Sequence, residues 1–417
     1  MNHFSELLLS PALQNNLNRN CFVTPTPVQA AAIPPALAGR DVVATAQTGT
    51  GKTLAFLLPL LQSLLSRHAQ AASASGPARF GIQSLILTPT RELAIQINEA
   101  LQPLAAGTGV RSAVVVGGLN EENQLRAIKS NAQILIATPG RLCDFLSRKL
   151  INLSSVHSLV LDEADRMLDM GFLPSLRLIL ECIPSSRQTL FFSATLEKSV
   201  AHLIDSYLRN PVRVAIGATK PIEQVDLHLY EVEQDRKLAL LVRLMQEERG
   251  SFLVFARTKH GTDRLAKKLG VAGLKAGRIH GDRTQNQRNQ ALSGFKDGGY
   301  RVLVATDVAA RGIHVDGIAH VVNYDLPKVP EDFIHRVGRT GRAGARGTAS
   351  TFSTRSERPE IKKIEKALSI RLIAREVGED LPREQKPAVV RSIAPAHKVR
   401  QFGGLDRSGR TRGRRRR

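Results

Sequence analysis

Cysteine is scarce in this sequence, and the few cysteines stand far apart. Cys21, Cys143 and Cys182 are the three cysteines among 417 residues, and no two of them have C-x-x-C spacing. Structural zinc sites take ligands in closely spaced pairs, and disulfide frameworks need several paired cysteines. The sequence therefore supports neither kind of site. It favours a reducing compartment in which the cysteines are small buried residues.

Long hydrophobic runs are also missing. The longest apolar stretch, residues 54–65, contains Pro59, Gln62 and Ser63 and is shorter than the roughly 20 residues that a membrane helix needs. Residues 1–6 contain no lysine or arginine, and the apolar run at residues 7–9 is too short for a signal peptide. We therefore expect a cytoplasmic protein that does not engage a membrane.

Acidic residues are too few to balance the basic ones. The chain has 37 acidic residues against 59 lysines and arginines, which gives a net charge of +22. An excess of this size points to a polyanionic partner such as nucleic acid. Hydrophobic residues make up 42% of the chain, which excludes wholesale disorder, and the length indicates two to three domains.

Short apolar strands alternate with helical stretches along most of the chain. This alternation predicts an α/β fold with parallel sheets that helices cover on both faces. The pattern occurs twice, so we predict one unit at residues 1–215, a linker at 216–225 and a second unit at 226–380. The strands are predicted at 41–45, 84–87, 113–116, 134–136, 159–161 and 189–192, and then at 227–230, 252–255, 302–304 and 320–322.

The region from 381 to 417 has a different composition. Residues 386–417 contain eleven lysines and arginines against one acid, Asp406, which is a net charge of +10. The region is rich in glycine and arginine and poor in apolar residues, so we predict a disordered basic tail that binds phosphates without sequence preference. A purely solubilising tail is the alternative.

A phosphate-binding loop is predicted at residues 46–53, which read AQTGTGKT between a strand and a helix. Glycines let backbone N–H groups approach phosphates, and the start of the helix adds a positive dipole. In such a loop, Lys52 would reach the β- and γ-phosphates of a nucleotide, and the Thr53 hydroxyl would bind Mg²⁺. The general pattern has glycine at the position of Ala46, so the match is incomplete.

An acidic run, residues 162–165 (DEAD), follows another predicted strand. At the end of a strand, Asp162 can hold Mg²⁺, partly through water, and Glu163 can orient or deprotonate an attacking water molecule. An acidic cluster of this kind can also be a simple helix N-cap. The phosphate-binding loop about 110 residues upstream favours the catalytic interpretation.

With these motifs, the chain resembles the DEAD-box ATP-dependent RNA helicases over roughly residues 1–370. Within the family it looks most similar to the bacterial RhlE-type subgroup, and alanine at position 46 is normal there. The resemblance implies two tandem RecA-like (P-loop NTPase) domains. It is carried by motifs at 22–29, 46–53, 89–94, 117–118, 138–141, 162–165, 193–195, 254–258, 280–282 with Gln285 and Arg288, 305–307 with Arg311 and Gly312, and 335–342.

The resemblance also implies roles at an ATP and Mg²⁺ site. Phe22 would stack on adenine with Phe4 behind it, although both would otherwise be assigned to the core. Arg339 and Arg342 would reach the γ-phosphate from the second domain, where arginines spaced by three could instead form a solvated helix face. His335, Ser193, Thr195 and Asp307 would couple the ATP and RNA sites, but Ser193 and Thr195 could also be strand-end caps. The nucleotide-binding residues would be Phe22, Thr24, Gln29 (the adenine reader), Ala46, Gln47, Thr48, Gly49, Thr50, Gly51, Lys52 and Thr53.

An RNA-binding groove is implied across both units. Its contacts would be to the sugar-phosphate backbone and would carry little sequence information, although the glycine pairs could be ordinary turns. The partner would be single-stranded RNA or a short duplex, bound by a monomer. Ribosomal and RNA-decay ribonucleoproteins remain open. The contacting residues would be Pro89, Thr90, Arg91, Gly118, Thr138, Gly140, Arg141, Arg257, Gly281, Arg288 and Thr306.

One position departs from the family pattern. His314 stands where the family has an aspartate that is expected near the ATP ribose. A histidine is mostly neutral near pH 7, so we expect an effect on ribose recognition and nucleotide affinity rather than on the reaction.

The implied activity is RNA-stimulated ATP hydrolysis coupled to local, non-processive unwinding of short RNA duplexes or to ribonucleoprotein remodelling. Two other classes stay open. A DNA translocase could use a similar pair of domains, and a non-unwinding clamp could bind ATP and RNA without separating strands.

Deletion of residues 386–417 tests the tail. We expect weaker RNA binding and a flatter salt dependence, because each phosphate contact that is lost lowers the slope of log K against log salt by about 0.7 for single strands. Fluorescence anisotropy over a salt series would measure both effects, while the ATPase activity should still saturate. An unchanged slope would reduce the tail to a solubility element.

Overall fold

The computed structural model describes residues 1–46, 50–72, 81–194, 198–216, 224–310, 315, 317–341, 346–378 and 380–384. Within them, short strands and helices alternate as the hydrophobic pattern predicts. In the first unit the elements are α1 (Pro11–Arg19), α2 (Pro27–Leu37), β1 (Val42–Thr45), α3 (Lys52–Ala72), β2 (Ser84–Leu87), α4 (Arg91–Ala105), β3 (Ser112–Val115), α5 (Glu121–Lys129), β4 (Ile134–Ala137), α6 (Pro139–Ser147), β5 (Ser158–Leu161), α7 (Ala164–Asp169), α8 (Leu173–Glu181), β6 (Gln188–Ser193), α9 (Lys198–Tyr207) and β7 (Val212–Ala215).

The second unit repeats this alternation. Its elements are β8 (Val225–Glu231), α10 (Lys237–Glu247), β9 (Ser251–Phe255), α11 (Lys259–Val271), β10 (Ala276–Ile279), α12 (Gln285–Lys296), β11 (Val302–Ala305), α13 (Asp307–Ala310), β12 (Ile318–Asn323), α14 (Pro330–Val337), β13 (Gly347–Ser353), α15 (Arg358–Leu368) and β14 (Ile373–Arg375).

The described strands form two seven-stranded sheets with the same topology. The first sheet has the order β3-β4-β2-β5-β6-β1-β7, and the second has the order β10-β11-β9-β12-β13-β8-β14. Every pairing is parallel. When the strands of the second sheet are renumbered from its first strand, the two orders coincide. The predicted fold class is therefore confirmed.

Each sheet is covered on both faces, as its continuous apolar strands predict. All residues of β2 and β4 are buried, and successive residues of a strand point to opposite faces. Phe192 accordingly packs edge-on against Phe56 of α3, with 5.4 Å between the ring centroids. Phe191 lies in the other core, with Phe145 of α6. The carboxyl ends of the strands thus remain free to carry polar groups.

Four strands were not predicted from the sequence: β7, β10, β13 and β14. They contain arginine, or mostly small and polar residues, instead of a continuous apolar run.

The prediction of buried cysteines is wrong for Cys21 and Cys182, which are exposed, while Cys143 is half-buried. None of the helices in the described ranges is both long enough and apolar enough to cross a bilayer.

The chain stays packed beyond the predicted start of the tail. Leu381 is buried in the same cluster as Leu240 and Leu241 of α10, and Lys268 forms an ion pair with Glu384. Packed chain therefore extends at least through residue 384. Most of the predicted linker, residues 217–223, lies outside the described residues.

Arg336 of α14 holds three elements of the second unit together. Its guanidinium is 2% exposed and binds both carboxylate oxygens of Asp307, with Nε–Oδ1 at 2.5 Å and Nη2–Oδ2 at 2.8 Å. Nη1 donates to Asn323 Oδ1 at 3.1 Å and to the Asp325 carbonyl at 2.6 Å. The group also lies over the Phe255 ring, 4.9 Å from its centroid. It therefore sets the position of α14.

Replacement of Arg336 by methionine should destabilise the second unit by about 3 kcal/mol, because a half-buried Asp307 carboxylate would lose its partner. Urea unfolding followed by circular dichroism would measure the loss. Arg355→Met is the control, since that side chain is 88% exposed and pairs with Glu231 at 3.3 Å. It should cost less than about 1 kcal/mol. Equal losses in the two variants would contradict the role of Arg336.

Candidate nucleotide and RNA site

Three adjacent strands bring the predicted catalytic motifs to one edge of the first sheet. β5, β6 and β1 are neighbours, and polar groups follow the carboxyl end of each. Asp162 comes directly after β5, Ser193 ends β6, and the phosphate-binding loop follows β1. The Ala46 N–H donates to the Ser193 carbonyl at 3.0 Å, so the start of the loop is fixed to the neighbouring strand. Parallel α/β sheets bind ligands at this edge.

The described residues of the loop hold the predicted lysine in place. Lys52 begins α3 and is 6% exposed, and its Nζ donates to the Ala46 carbonyl at 2.9 Å. Thr53 follows on the first turn of the helix. Gln47, Thr48 and Gly49 lie outside the described residues.

Gln29 is attached to the same loop by its side chain. Its Nε2 donates to the Gly51 carbonyl at 3.0 Å, and its Oε1 accepts from the Thr26 N–H at 2.8 Å. Gly51 has a φ of +90°, and a Cβ there would lie 2.4 Å from Gln29 Nε2. Only glycine allows this approach without a shift. The predicted adenine reader and the phosphate-binding loop are therefore one connected unit.

The two phenylalanines predicted for the adenine site differ in burial. Phe4 is 3% exposed and belongs to the core, and its N–H donates to the Val23 carbonyl at 3.2 Å. Phe22 is 37% exposed, so its ring offers an accessible face. Thr24 is also exposed.

The acidic run is buried and surrounded by charge. Asp162 is 3% exposed and Glu163 is 5% exposed. Burial raises the pKa of Asp162 to about 7, although the Lys52 ammonium opposes the rise. Glu163 has a left-handed backbone with a φ of +50°. Its Oε2 lies 2.5 Å from Nη1 of Arg166, which is also buried.

The last acid of the run connects the two neighbouring strands. Asp165 Oδ2 accepts from the Ala194 N–H at 2.9 Å, and its Oδ1 accepts from the Arg166 N–H at 3.0 Å. Ser193 is fully buried beside it. The DEAD run thus contacts the Ser193–Ala194 segment that was predicted to couple the two sites. Thr195 lies outside the described residues.

The residues present fit a magnesium ion. Asp162 is a buried carboxylate whose charged form is disfavoured until a cation compensates it. Among the described residues, no group of three or more histidine, cysteine, aspartate or glutamate side chains is arranged to hold a metal alone. Carboxylate and hydroxyl oxygens with water and phosphate are the usual ligands of Mg²⁺.

Helix α14 and the turn that follows it carry two of the predicted catalytic residues, His335 and Arg339. Arg339 is 2% exposed, and its Nε donates to the His335 carbonyl at 3.1 Å. Both side chains line a small cavity with Phe255, Asp307 and Arg336. Asp307, predicted as a coupling residue, therefore touches the helix that precedes Arg339. Arg342 and His314 lie outside the described residues.

Arg91, a predicted RNA contact of the first unit, lies against a glycine turn. A Cβ on Gly118, whose φ is +79°, would lie 2.1 Å from Arg91 Nη1, so this position needs glycine. Thr90 Oγ1 caps α4 by accepting the Leu93 N–H at 3.3 Å. Pro89 immediately precedes it.

The other predicted RNA contacts of the first unit lie at the start of α6. Thr138 is the N-cap and Gly140 is exposed in the first turn. Arg141 forms ion pairs with Glu121 at 3.1 Å and with Asp144 at 2.9 Å. Its guanidinium is thus already oriented by two carboxylates.

In the second unit, three predicted RNA contacts follow the ends of strands. Arg257 comes after β9, and its Nη2 lies 3.2 Å from Glu357 Oε1. Gly281 is exposed after β10. Thr306 follows β11 and donates its N–H to the Ile279 carbonyl at 3.3 Å.

The fourth, Arg288, instead meets the first unit. Its Nη2 lies 2.9 Å from Glu92 Oε1, and Gln285 Nε2 donates to the same oxygen at 3.0 Å. All three residues are buried. Glu92 lies in the first turn of α4 and the other two in the first turn of α12, so this bridge joins the two units.

Sequence reasoning missed Glu92, Arg166 and Arg336. An acidic residue in the first turn of a helix is usually explained by its favourable interaction with the helix dipole. No local sequence pattern indicates that Glu92 pairs with Gln285, which is 193 positions away. Arg166 could have been suspected, because it stands three residues after Glu163 at the start of a helix.

Comparison with known proteins places these motifs in a family. The sequence pattern described as "DEAD/DEAH box helicase" matches residues 26–203, and the pattern "Helicase conserved C-terminal domain" matches residues 236–344. The chain is 42% identical over 338 residues to a DEAD-box ATP-dependent RNA helicase CshA of Streptococcus pneumoniae, a match that covers 81% of this chain and 62% of that protein. The CshA of Geobacillus kaustophilus is 40% identical over 341 residues, with 81% and 71% covered.

Solved structures show the same arrangement. Dbp5 of S. cerevisiae bound to RNA and ADP BeF3 is 30% identical, with a TM-score of 0.78, and the match covers 90% of this chain and 96% of that one. Mss116p bound to ssRNA and AMP-PNP is 28% identical, with a TM-score of 0.80 and coverage of 91% and 80%. A DEAD box protein from Methanococcus jannaschii is 36% identical, with a TM-score of 0.52 and coverage of 90% and 99%.

The glycine at position 51 gives a test of the nucleotide site. Gly51→Ala should weaken ATP binding about tenfold or more, because a displaced Gln29 and a strained backbone cost about 1–3 kcal/mol. Competition with a fluorescent ATP analogue would measure the affinity. Gly270→Ala is the control, since no atom lies within 4 Å of a Cβ there. Unchanged affinity in Gly51→Ala would separate Gln29 from nucleotide recognition.

Proposed function

The chain belongs to the DEAD-box family of ATP-dependent RNA helicases, and from this premise we propose that it couples ATP hydrolysis to local, non-processive separation of short RNA duplexes or to ribonucleoprotein remodelling. The aligned part of the chain spans 62% of the length of the S. pneumoniae relative. The observation that carries the proposal is the buried bridge from Glu92 to Gln285 and Arg288.

The bridge matters because the proposed active site is divided between two units. Lys52, Asp162 and Glu163 belong to the first unit, and Arg339 and His335 belong to the second. Glu92 directly follows Arg91, and Gln285 begins a helix just after Gly281, so the bridge lies among the proposed RNA contacts. A strand bound there would favour the same closed arrangement that brings the arginines to the γ-phosphate. By reciprocity, ATP would tighten RNA binding.

Each residue then has a defined task. Gln29 recognises the adenine edge, Phe22 stacks on the ring, and Lys52 binds the β- and γ-phosphates. Thr53 and Asp162 would hold Mg²⁺, which neutralises phosphate charge when bound. Glu163 orients and deprotonates the attacking water. Arg339, with Arg342, stabilises the charge that develops on the γ-phosphate.

The RNA side follows from the same geometry. Arg91 lies against a glycine turn, and Arg141 and Arg257 pair with carboxylates, so each would offer an oriented guanidinium to a phosphate. Such contacts do not read bases, so little sequence preference is expected. Contacts to 2′-hydroxyls would select RNA over DNA.

Several finer assignments remain predictions. The domain limits 1–215 and 226–380, the monomeric state, the cytoplasmic location and any ribosomal or RNA-decay partner rest on the sequence. So does the RhlE-type subgroup, since the relatives described above carry the name CshA.

Glu163→Gln tests the reaction. The amide cannot accept the proton of the attacking water, so we expect ATP binding to be retained, hydrolysis to fall about 100-fold or more, and the RNA complex to persist. Steady-state ATPase assays and RNA dissociation rates would measure both effects. The control is Glu99→Gln, which removes one carboxylate from the exposed side of α4. Rapid turnover by Glu163→Gln would remove Glu163 from the catalytic role.

The competing functions predict different results. A DNA translocase would be stimulated as well by DNA as by RNA of the same sequence. A clamp would bind ATP and RNA yet leave a short duplex intact. Preferential stimulation by RNA, together with strand separation by the wild-type protein, supports the helicase.

A further inference from the structure

The opposite edge of the first sheet carries a second polar pocket that the proposed reaction does not use. It opens at the amino ends of β5, β6, β1 and β7, and we call it the amino-edge pocket. It is lined by Arg40, Arg67, Arg187, Arg209, His157 and Asp41, together with serines and a glutamine. The same strands carry Lys52, Asp162 and Ser193 at their carboxyl ends. Four residues at about 3.3 Å each separate the two edges by roughly 13 Å.

Positive charge dominates this pocket. Four of the lining residues are arginines, and Asp41 is the one carboxylate among them. Both oxygens of Asp41 already accept backbone N–H groups, from Thr189 and Arg209 at 2.7 Å each. Four arginines against one aspartate give the lining a net charge of about +3.

Arg187 is the most unusual member. It is 9% exposed, and its Nη1 donates to the Pro184 carbonyl at 3.0 Å. Its Nε is buried without a hydrogen-bond acceptor. Within the described residues, no carboxylate lies at ion-pair distance from this guanidinium, and Nη2 makes no hydrogen bond there. Burial of an arginine without a counter-ion is costly.

Burial shifts the pKa values of two groups that line the pocket. Burial, together with the nearby charges of Arg67 and His68, lowers the pKa of His157 to about 4. His157 is therefore neutral near pH 7, and its ring stays in the pocket wall as a polar but uncharged group. Burial also lowers the pKa of Arg187; the Asp41 carboxylate opposes this shift, and the charge of Arg209 adds to it.

We propose that the amino-edge pocket is a binding site for a phosphate monoester or pyrophosphate group. Guanidinium groups match the oxygens of phosphate in a bidentate manner, and a dianion would offset most of the net charge of about +3 that remains beside Asp41. The group has two possible sources: the 5′-phosphate of an RNA strand, or a free phosphate compound. No residue of the proposed nucleotide site takes part.

The test is a calorimetric titration of inorganic pyrophosphate into the full chain, with the nucleotide site saturated with ADP. We expect one site per chain. Arg40 and Arg67 are exposed, so Arg40→Gln/Arg67→Gln should fold normally and bind pyrophosphate roughly tenfold more weakly, since charged hydrogen bonds are lost. Arg126→Gln/Lys129→Gln removes the same charge from exposed positions of α5 and should bind like the wild type.

A second arm distinguishes the sources. Single-stranded RNA with a 5′-phosphate or a 5′-hydroxyl would be compared by fluorescence anisotropy. If the RNA end is the source, the wild type prefers the 5′-phosphate and Arg40→Gln/Arg67→Gln loses that preference. If a free compound is the source, pyrophosphate binds and the RNA end has no effect.

The proposal is overturned if the wild type binds no pyrophosphate beside ADP, or if Arg40→Gln/Arg67→Gln binds it as tightly as the wild type does. The second result would place the anion on the basic tail or elsewhere on the surface. Either outcome is independent of the result for Glu163→Gln, because the ATPase chemistry lies at the other edge of the sheet.

Discussion

Burial of charge at the carboxyl edge of the first sheet is the constraint on which the nucleotide site depends. Asp162, Glu163 and Asp165 are each at most 7% exposed, and so are Lys52 and Arg166. Three carboxyl groups face two cations where water screens charge poorly, and burial accordingly raises the pKa of Asp162 to about 7. The fold balances part of this charge with backbone N–H groups, including those of Glu163 and Ala194. A magnesium–nucleotide complex can compensate the negative charge that remains. Binding of the proposed ligand would therefore stabilise the site.

The two sheets share one strand order but use it differently. In the first, the carboxyl edge holds the loop and the acids. In the second, the same edge carries Arg257, Gly281, Thr306 and Asp307 after successive strands, and Asp307 fixes Arg336 and thereby α14. The same strand order thus supports two different sets of polar residues at the carboxyl edges of the two sheets. Glu92 and Arg288 join them through a buried ion pair at 2.9 Å. Loss of either partner would leave the other charge buried and uncompensated.

Much of this could be predicted from the sequence, because the informative features are local. The strands with continuous apolar runs, the loop around Lys52 and the acids after β5 each stand within a short window. Three kinds of feature could not be predicted. Strands such as β10 and β13 are held by their neighbours rather than by their own apolar content. Bridges such as Glu92 to Gln285 join residues far apart in the chain. The exposure of Cys21 and Cys182 depends on which face of the fold their segments occupy.

The anchoring of residues 380–384 has a mechanical consequence. Leu381 is buried against α10, and Arg243 pairs with Asp380 at 3.1 Å, so the segment that ends at Glu384 is fixed to the second unit. A tether of this kind raises the local concentration of its cargo near its point of attachment. Any polyanion captured by the eleven basic residues downstream would therefore be held close to the second unit.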